Sequence, residues 1–170
     1  MVKNMLLRPD IKLERVTNIN KTLLDKFNIN ALILDVDNTL STHHGQQLTE
    51  GLTEWLGRIN NCGIKIIILS NSKEERVKPF AEKISLNYIS LGCKPLPFGY
   101  FKALKALGTK RKNTAIVGDQ IFTDILGGNA IGLKTVLLTP IKPEDGWSFK
   151  LRRKLERVIF KLYKIKNTEV

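Results

Sequence analysis

Residues 30–40 read N-A-L-I-L-D-V-D-N-T-L, and the step from apolar to acidic residues in that stretch decides the fold. Residues 31–34 make an apolar run of a length that suits a buried strand and is too short for an independent helix. The run stops at two carboxylates, Asp35 and Asp37. Side chains at i and i+2 leave a strand on one face, so both acids are expected to point at one spot beyond the strand's carboxyl end. In an open α/β sheet that edge is where ligands sit. Two like charges a few ångströms apart raise each other's pKa unless a cation or proton intervenes. The pair therefore calls for a metal, a shared proton, or both.

Further along the chain the same pattern returns. Apolar runs at 64–69, 86–89, 114–117 and 134–138 read as four more strands. Helical spacing appears at 19–27, 48–61, 72–84, 97–107 and 121–130, with Ser72 and Glu75 placed as a capping box and Gly132 as a stop. Strands separated by one helix each predict an α/β fold, a doubly wound parallel five-stranded sheet. Residues 1–18 carry mixed charge and weak periodicity and read as an irregular arm. Gly127-Gly128 inside a helical stretch costs stability, which points to close packing or an early helix end.

Polar residues follow the strands: Asp35 and Asp37, Ser70 and Asn71, Lys94, then Asp119 and Asp124. Parallel strands bring these ends to one edge. Oxygen ligands of this kind suit Mg2+, which binds through one or two carboxylates plus water and substrate phosphate. Lysine and hydroxyl are then left to hold phosphate oxygens, and a carboxylate nucleophile attacking phosphorus yields an aspartyl-phosphate. Each residue also has a plainer reading. Ser70 would cap the next helix, Lys94 would be solvated before a proline turn, and Asp119 and Asp124 would serve a turn and a helix start. His43 and His44 read as part of an exposed flap without catalytic duty.

The D-V-D-N-T-L stretch, Ser70 after a strand, Lys94-Pro95 and G-D-Q-I-F-T-D at 118–124 resemble, in order, the four motifs of the haloacid dehalogenase superfamily of phosphotransferases. The resemblance covers roughly residues 30–140. It implies Asp35 as nucleophile and Asp37 as general acid and then base. It implies Mg2+ held by the Asp35 carboxylate, the Asp37 main-chain carbonyl and Asp119. Ser70, Asn71 and Lys94 would hold the phosphoryl group, with Thr39 as support. Asp124 is left as a direct ligand, a water-mediated ligand or an anchor for Lys94.

The chain between Asp37 and Ser70, and between Ser70 and Lys94, has room for a loop, a helix and a strand, and none for a cap domain. Capless members of the family it resembles act on bulky substrates or borrow a lid from a neighbouring subunit, so the resemblance implies a phosphate carried on something large or a shared lid. The short capless chain is similar to the subclass IIIA group, which includes the mitochondrial-type phosphatidylglycerophosphate phosphatases and their bacterial relatives. That similarity implies removal of a terminal phosphate from a lipid headgroup.

Charge points the same way without demanding it. There are 28 basic residues against 16 acidic ones, a net charge of +12, and such an excess implies contact with phosphates. Between Lys150 and Lys166 lie eight basic residues against Glu156 alone, so this segment supplies +7 of the total. Leu151, Leu155, Val158, Ile159, Leu162 and Ile165 fall on one helical face there, with Phe160 opposite. Residues 1–147 are thus expected to form the phosphatase domain, and 148–170 a basic amphipathic helix that packs on it or lies on an anionic membrane surface.

Cys62 and Cys93 lack metal or redox spacing and read as reduced thiols. No apolar run is long enough to span a bilayer, and the N-terminus lacks a signal-peptide pattern. A cytoplasmic protein is expected, with peripheral attachment at the inner face of a membrane left open. Two other readings stand beside the lipid phosphatase. One is a phosphatase of nucleic acid ends or nucleotides, for which only Trp147, Phe149 and Phe160 are available to stack on bases. The other is a non-catalytic interaction module on the same scaffold, which intact Asp35 and Asp37 argue against.

Overall fold

A computed structural model describes residues 6–41, 46–142 and 147–168, the side chains of 147–152 excepted. His43 and His44 lie outside the described residues. In chain order the elements are β1 (Ile11–Leu13), α1 (Lys21–Lys26), β2 (Ala31–Leu34), α2 (Leu52–Asn61), β3 (Lys65–Leu69), α3 (Glu74–Lys83), β4 (Tyr88–Ile89), α4 (Pro97–Leu107), β5 (Thr114–Gly118), α5 (Leu126–Ile131), β6 (Lys134–Leu138) and α6 (Trp147–Tyr163). The strands pair in parallel in the order β1-β6-β5-β2-β3-β4. Among the described residues one helix separates β2 from β3 and one separates β3 from β4, with no cap domain inserted.

All four residues of β2 are fully buried. Leu32 and Leu34 face one layer and Ala31 and Ile33 the other, the alternation a strand imposes. Burying each of the Leu and Ile side chains stabilises the sheet by roughly 1.5–3 kcal/mol. On the first face α1, α2 and α3 pack through Leu24, Trp55, Val77 and Phe80. On the second, α4 and α5 pack through Tyr100, Ala103, Leu104 and Ile131. α6 joins this second face. Its Ile159 sits with Leu137, which points away from Val136 and Leu138 of the first layer.

Several details differ from the sequence expectation. The sheet has six strands, because β1 forms in the segment read as an irregular arm. Three residues are too few to show a period, and β1 is held by pairing with β6 and by Asp10, whose carboxylate accepts from the Thr135 amide at 2.9 Å. The Ser72 capping box does not form. The helix starts at Glu74 with Lys73 as N-cap and no side-chain cap, because the Ser72 hydroxyl is turned to Asp37 instead. The stretch 121–130 is two pieces, a π-helical turn Ile121–Ile125 and then α5, closed by Gly132 in the left-handed region (φ 80°). Gly127 sits where a Cβ would lie 2.3 Å from the Tyr100 hydroxyl, so the double glycine answers to close packing.

α6 is turned relative to its apolar stripe. Ile159 is buried, but Leu155, Val158 and Leu162 are exposed, while Glu156 is buried and Phe160 and Tyr163 pack on the core. Two polar anchors described below set this rotation, about a third of a turn from the stripe. Among the described residues no helix is long and apolar enough to cross a membrane.

Candidate active site

Register brings the site together. Leu34 of β2 lies opposite Ile68 of β3 and Val117 of β5, so the three strands end within one residue of one another. The next residues, Asp35, Leu69-Ser70 and Gly118-Asp119, follow at one edge. Asp35 is fixed further by its amide, which donates to the Val117 carbonyl at 2.9 Å. Gly118 is required here, since a Cβ would fall 2.2 Å from an Asp124 carboxylate oxygen.

Asp35, Lys94 and Asp124 form one buried unit. The Lys94 ammonium donates to Asp35 Oδ1 at 2.6 Å and to Asp124 Oδ1 at 2.7 Å. Burial raises the Asp35 carboxyl to about 7, an effect that Lys94 opposes and the charges of Asp124 and Asp37 reinforce. For Lys94 burial acts to lower the pKa, and the two carboxylates outweigh it, so the ammonium is held charged well above the usual lysine range.

Asp35, Asp119 and Asp124 each place a carboxylate oxygen within 4.8 Å of the others. Asp119 is buried, and its carboxyl is raised well above the ordinary value by desolvation and by the Asp35 charge, with Arg153 opposing. Asp119 Oδ2 accepts from Arg153 of α6, while Oδ1 is buried with no hydrogen-bond partner. A buried carboxylate oxygen without a donor is costly. Three hard oxygens converging on one point, one of them unsatisfied, fit a divalent cation such as Mg2+.

Asp37 lies near enough to Asp35 for its charge to raise that carboxyl, but outside the cluster of the other three acids. The strand ends at Leu34, so Asp37 sits in the following turn and is absent from the cluster. The turn continues through Asn38 at φ 58°, a left-handed conformation that Asn tolerates better than most residues. The Asp37 carboxylate accepts from Arg76 Nη2 at 2.9 Å and from the Ser72 hydroxyl at 3.1 Å. The intervening cations are thus Lys94 for one acid and Arg76 for the other.

Ser70 is buried at the edge, its hydroxyl accepting from the Ser72 amide at 3.1 Å. Asn71, expected among the phosphate-binding groups, spends both ends of its amide on the main chain of Lys94, at 2.7 and 2.9 Å. That places it as a support for the lysine. Thr39 is buried with its hydroxyl unpaired. Asp124 anchors Lys94 and is also one of the clustered acids.

Three participants lie outside the sequence expectation. Arg76 sits one turn into α3, where nothing in residue type distinguishes it from a solvated arginine. Arg153 and Glu156 stand in the cationic tail. Arg153 donates to the Asp119 carbonyl at 3.0 Å and to Glu156 at 2.7 Å, and Glu156 accepts from the Ile121 amide at 3.1 Å. The signal was available: a single Glu among eight cations, three residues after an arginine.

A parallel Rossmann-like sheet without a cap, with an aspartate-led acidic cluster and a buried lysine at its carboxyl edge, defines a phosphatase of the haloacid dehalogenase superfamily. A family model described as "Mitochondrial PGP phosphatase" matches residues 1–142, and the chain belongs to that family. It is 34% identical to "Probable phosphatase YqeG" of Bacillus subtilis (strain 168) over 166 residues, 98% of this chain and 96% of that protein. The fold is also shared with a haloacid-dehalogenase-family hydrolase from Deinococcus radiodurans solved with bound phosphate and sodium (TM-score 0.60, 15% identity, 84% of this chain and 100% of that one). A third likeness is to the cobalt-bound deoxy-D-mannose-octulosonate 8-phosphate phosphatase of Haemophilus influenzae (TM-score 0.53, 16% identity, 79% and 88% covered).

Proposed function

We propose that this phosphatase is a Mg2+-dependent phosphomonoesterase that works through an aspartyl-phosphate and removes the terminal phosphate of phosphatidylglycerophosphate. The observation that carries the chemistry is the Asp35–Lys94–Asp124 unit beside the unsatisfied oxygen of Asp119. Asp35 attacks phosphorus, the ester P–O bond breaks, and Asp37, entering this step as the carboxylic acid, gives its proton to the departing alkoxide. Asp37 then takes a proton from water as that water attacks the phosphoaspartate, which releases inorganic phosphate and restores Asp35. Arg76 and Ser72 hold the Asp37 carboxylate in place for both transfers. Lys94 and Ser70 hold the transferring oxygens, with Asn71 fixing the lysine main chain. A divalent cation held by Asp35, Asp119 and Asp124 supplies positive charge that offsets repulsion between the anionic nucleophile and the anionic ester.

The lipid substrate is supported by family membership and by the open edge, which leaves room for a phosphate on a large body. The test is phosphate release, measured side by side from micellar phosphatidylglycerophosphate, nucleoside monophosphates and a 5′-phosphorylated oligonucleotide, with Mg2+ and with chelator. The expected result is turnover of the lipid that needs Mg2+ and vanishes in Asp35→Asn. Preferential turnover of the oligonucleotide or nucleotides overturns the substrate; full activity of Asp35→Asn overturns the mechanism.

A further inference from the structure

The two faces of the sheet are dressed differently. On the first face, α1–α3 carry six cations and five acids (Asp25, Glu54, Glu74, Glu75 and Glu82), all five acids exposed. On the second, α4–α6 carry eight cations and a single acid, Glu156, which is buried and engaged with Arg153 and the Ile121 amide. From residue 83 to residue 118 the sequence has seven cations and no acid at all.

Exposed large apolar side chains follow the same division. Leu91, Leu96, Phe98 and Phe101 lie on α4 and the loop that leads into it, between 48% and 67% exposed. On α6, Leu155, Val158 and Leu162 are exposed. Leu6, also exposed, is tied to α5 through its carbonyl, which accepts from Asn129. Among the described residues the helices of the first face present none. The outward side of α4 reads Phe98, Phe101, Lys102, Lys105, a helical stripe of rings followed by ammonium groups. The loop that carries Leu91 is held against the start of α4 because Gly92 and Gly99 pack closely, a Cβ on Gly99 falling 2.4 Å from the Gly92 carbonyl oxygen. This apolar rim adjoins the site: the Gly92 amide donates to the Ser70 carbonyl at 2.8 Å, and Leu91 donates to that of Ser72 at 3.0 Å.

We propose that the α4–α6 face is a docking surface for an anionic lipid bilayer, with Leu91, Leu96 and Phe98 entering the headgroup region beside the active site. Apolar side chains set among cations, with no exposed acid on the described residues of these three helices, match the interface of a membrane that carries negative headgroups. A second copy of the chain fits poorly, because face-to-face contact would set cation against cation. The surface deepens the lipid-phosphatase reading by assigning how the enzyme meets its substrate, but binding to a bilayer requires no turnover.

The test is flotation of the full chain with vesicles of phosphatidylcholine alone and of equimolar phosphatidylcholine and phosphatidylglycerol. Two double variants, Lys102→Glu/Lys105→Glu on the second face and Lys21→Glu/Lys78→Glu on the first, change the net charge equally. The expected result is binding to the anionic vesicles only, weakened about tenfold or more by the α4 pair and far less by the opposite pair. Phe98→Ser/Phe101→Ser is expected to weaken it as well, with an unchanged circular dichroism spectrum and an unchanged rate on a water-soluble phosphate ester. Equal loss in both charge variants overturns the face. Absence of vesicle binding overturns it too, as does a dimer in sedimentation that Phe98→Ser/Phe101→Ser disperses. Because Asp35→Asn is expected to float like the native chain, failure of the catalytic reading and failure of this one give different results.

Discussion

Lys94 is held between Asp35 and Asp124 with only 3% of its side chain exposed. Removing one partner of a buried ion pair leaves an uncompensated charge and costs about 3–5 kcal/mol. Lys94→Met is therefore expected to destabilise the metal-free protein by about 3 kcal/mol or more, measured by urea unfolding with chelator present. Asp35→Asn works in the opposite direction, since Asp124 still pairs Lys94 while repulsion of Asp35 with Asp119 and Asp124 is relieved; its midpoint is expected to equal or exceed the native one, although activity is lost. The same crowding sets a pH dependence. The Asp35 carboxyl, at 3.8 when unperturbed and about 7 in the fold, keeps its proton longer in the native state. Between about pH 4 and about pH 7 the native protein then binds more protons than the unfolded chain, so stability falls as pH rises through that window. Asp119 is shifted in the same direction. Cation binding needs these groups ionised, so Mg2+ affinity is expected to rise toward about pH 7, with protons released on binding. Calorimetry in buffers of different ionisation heat measures that release; an affinity flat with pH would contradict the assignment.

At the scale of elements, α6 is the least expected part. Its hydrophobic stripe predicts one rotation, and a half-buried Arg153 with a buried Glu156 imposes another, because these two must satisfy Asp119 and the Ile121 amide. Arg153→Ala leaves the Asp119 carboxylate without its cation. The metal-free melting temperature is expected to fall, and the rise produced by Mg2+ to be larger than in the native chain, since the ion then meets a less compensated charge. A smaller rise would mean that Arg153 is needed to aim Asp119. The contrast with β2 and α4 explains what the sequence could reveal. A four-residue apolar strand followed by Asp, and a helix opened by Pro97 and closed by Gly108 at φ 60°, carry their own local signals. So do Ser70, Lys94, Asp119 and Asp124, each placed at a strand end or just beyond one. The Arg76–Asp37 and Arg153–Asp119 pairs are tertiary, formed between segments 39 and 34 residues apart, and no local pattern encodes them. β1 is likewise legible only once β6 is in place beside it.

For the whole molecule, the proposed bilayer docking would let an uncapped site and a two-faced charge distribution solve one problem together. Without a cap the carboxyl edge of the sheet is open to bulky substrates and also to water. A bilayer lying against α4 and α6 would cover the rim at Leu91, Leu96 and Phe98 and supply the low-dielectric wall that other active sites obtain from a lid. The cations that hold such a surface act through solvent, so their reach is set by the Debye length, about 8 Å at physiological ionic strength. Lys94 and the acidic cluster are buried and are screened far less. Raising salt is therefore expected to slow turnover of substrate embedded in anionic vesicles several-fold while leaving hydrolysis of a water-soluble phosphate ester unchanged. Steady-state rates on both substrates across a potassium chloride series measure the difference. Parallel decline of the two would place the salt sensitivity in the catalytic site itself, and would leave the +12 charge without a role in bringing the enzyme to its substrate.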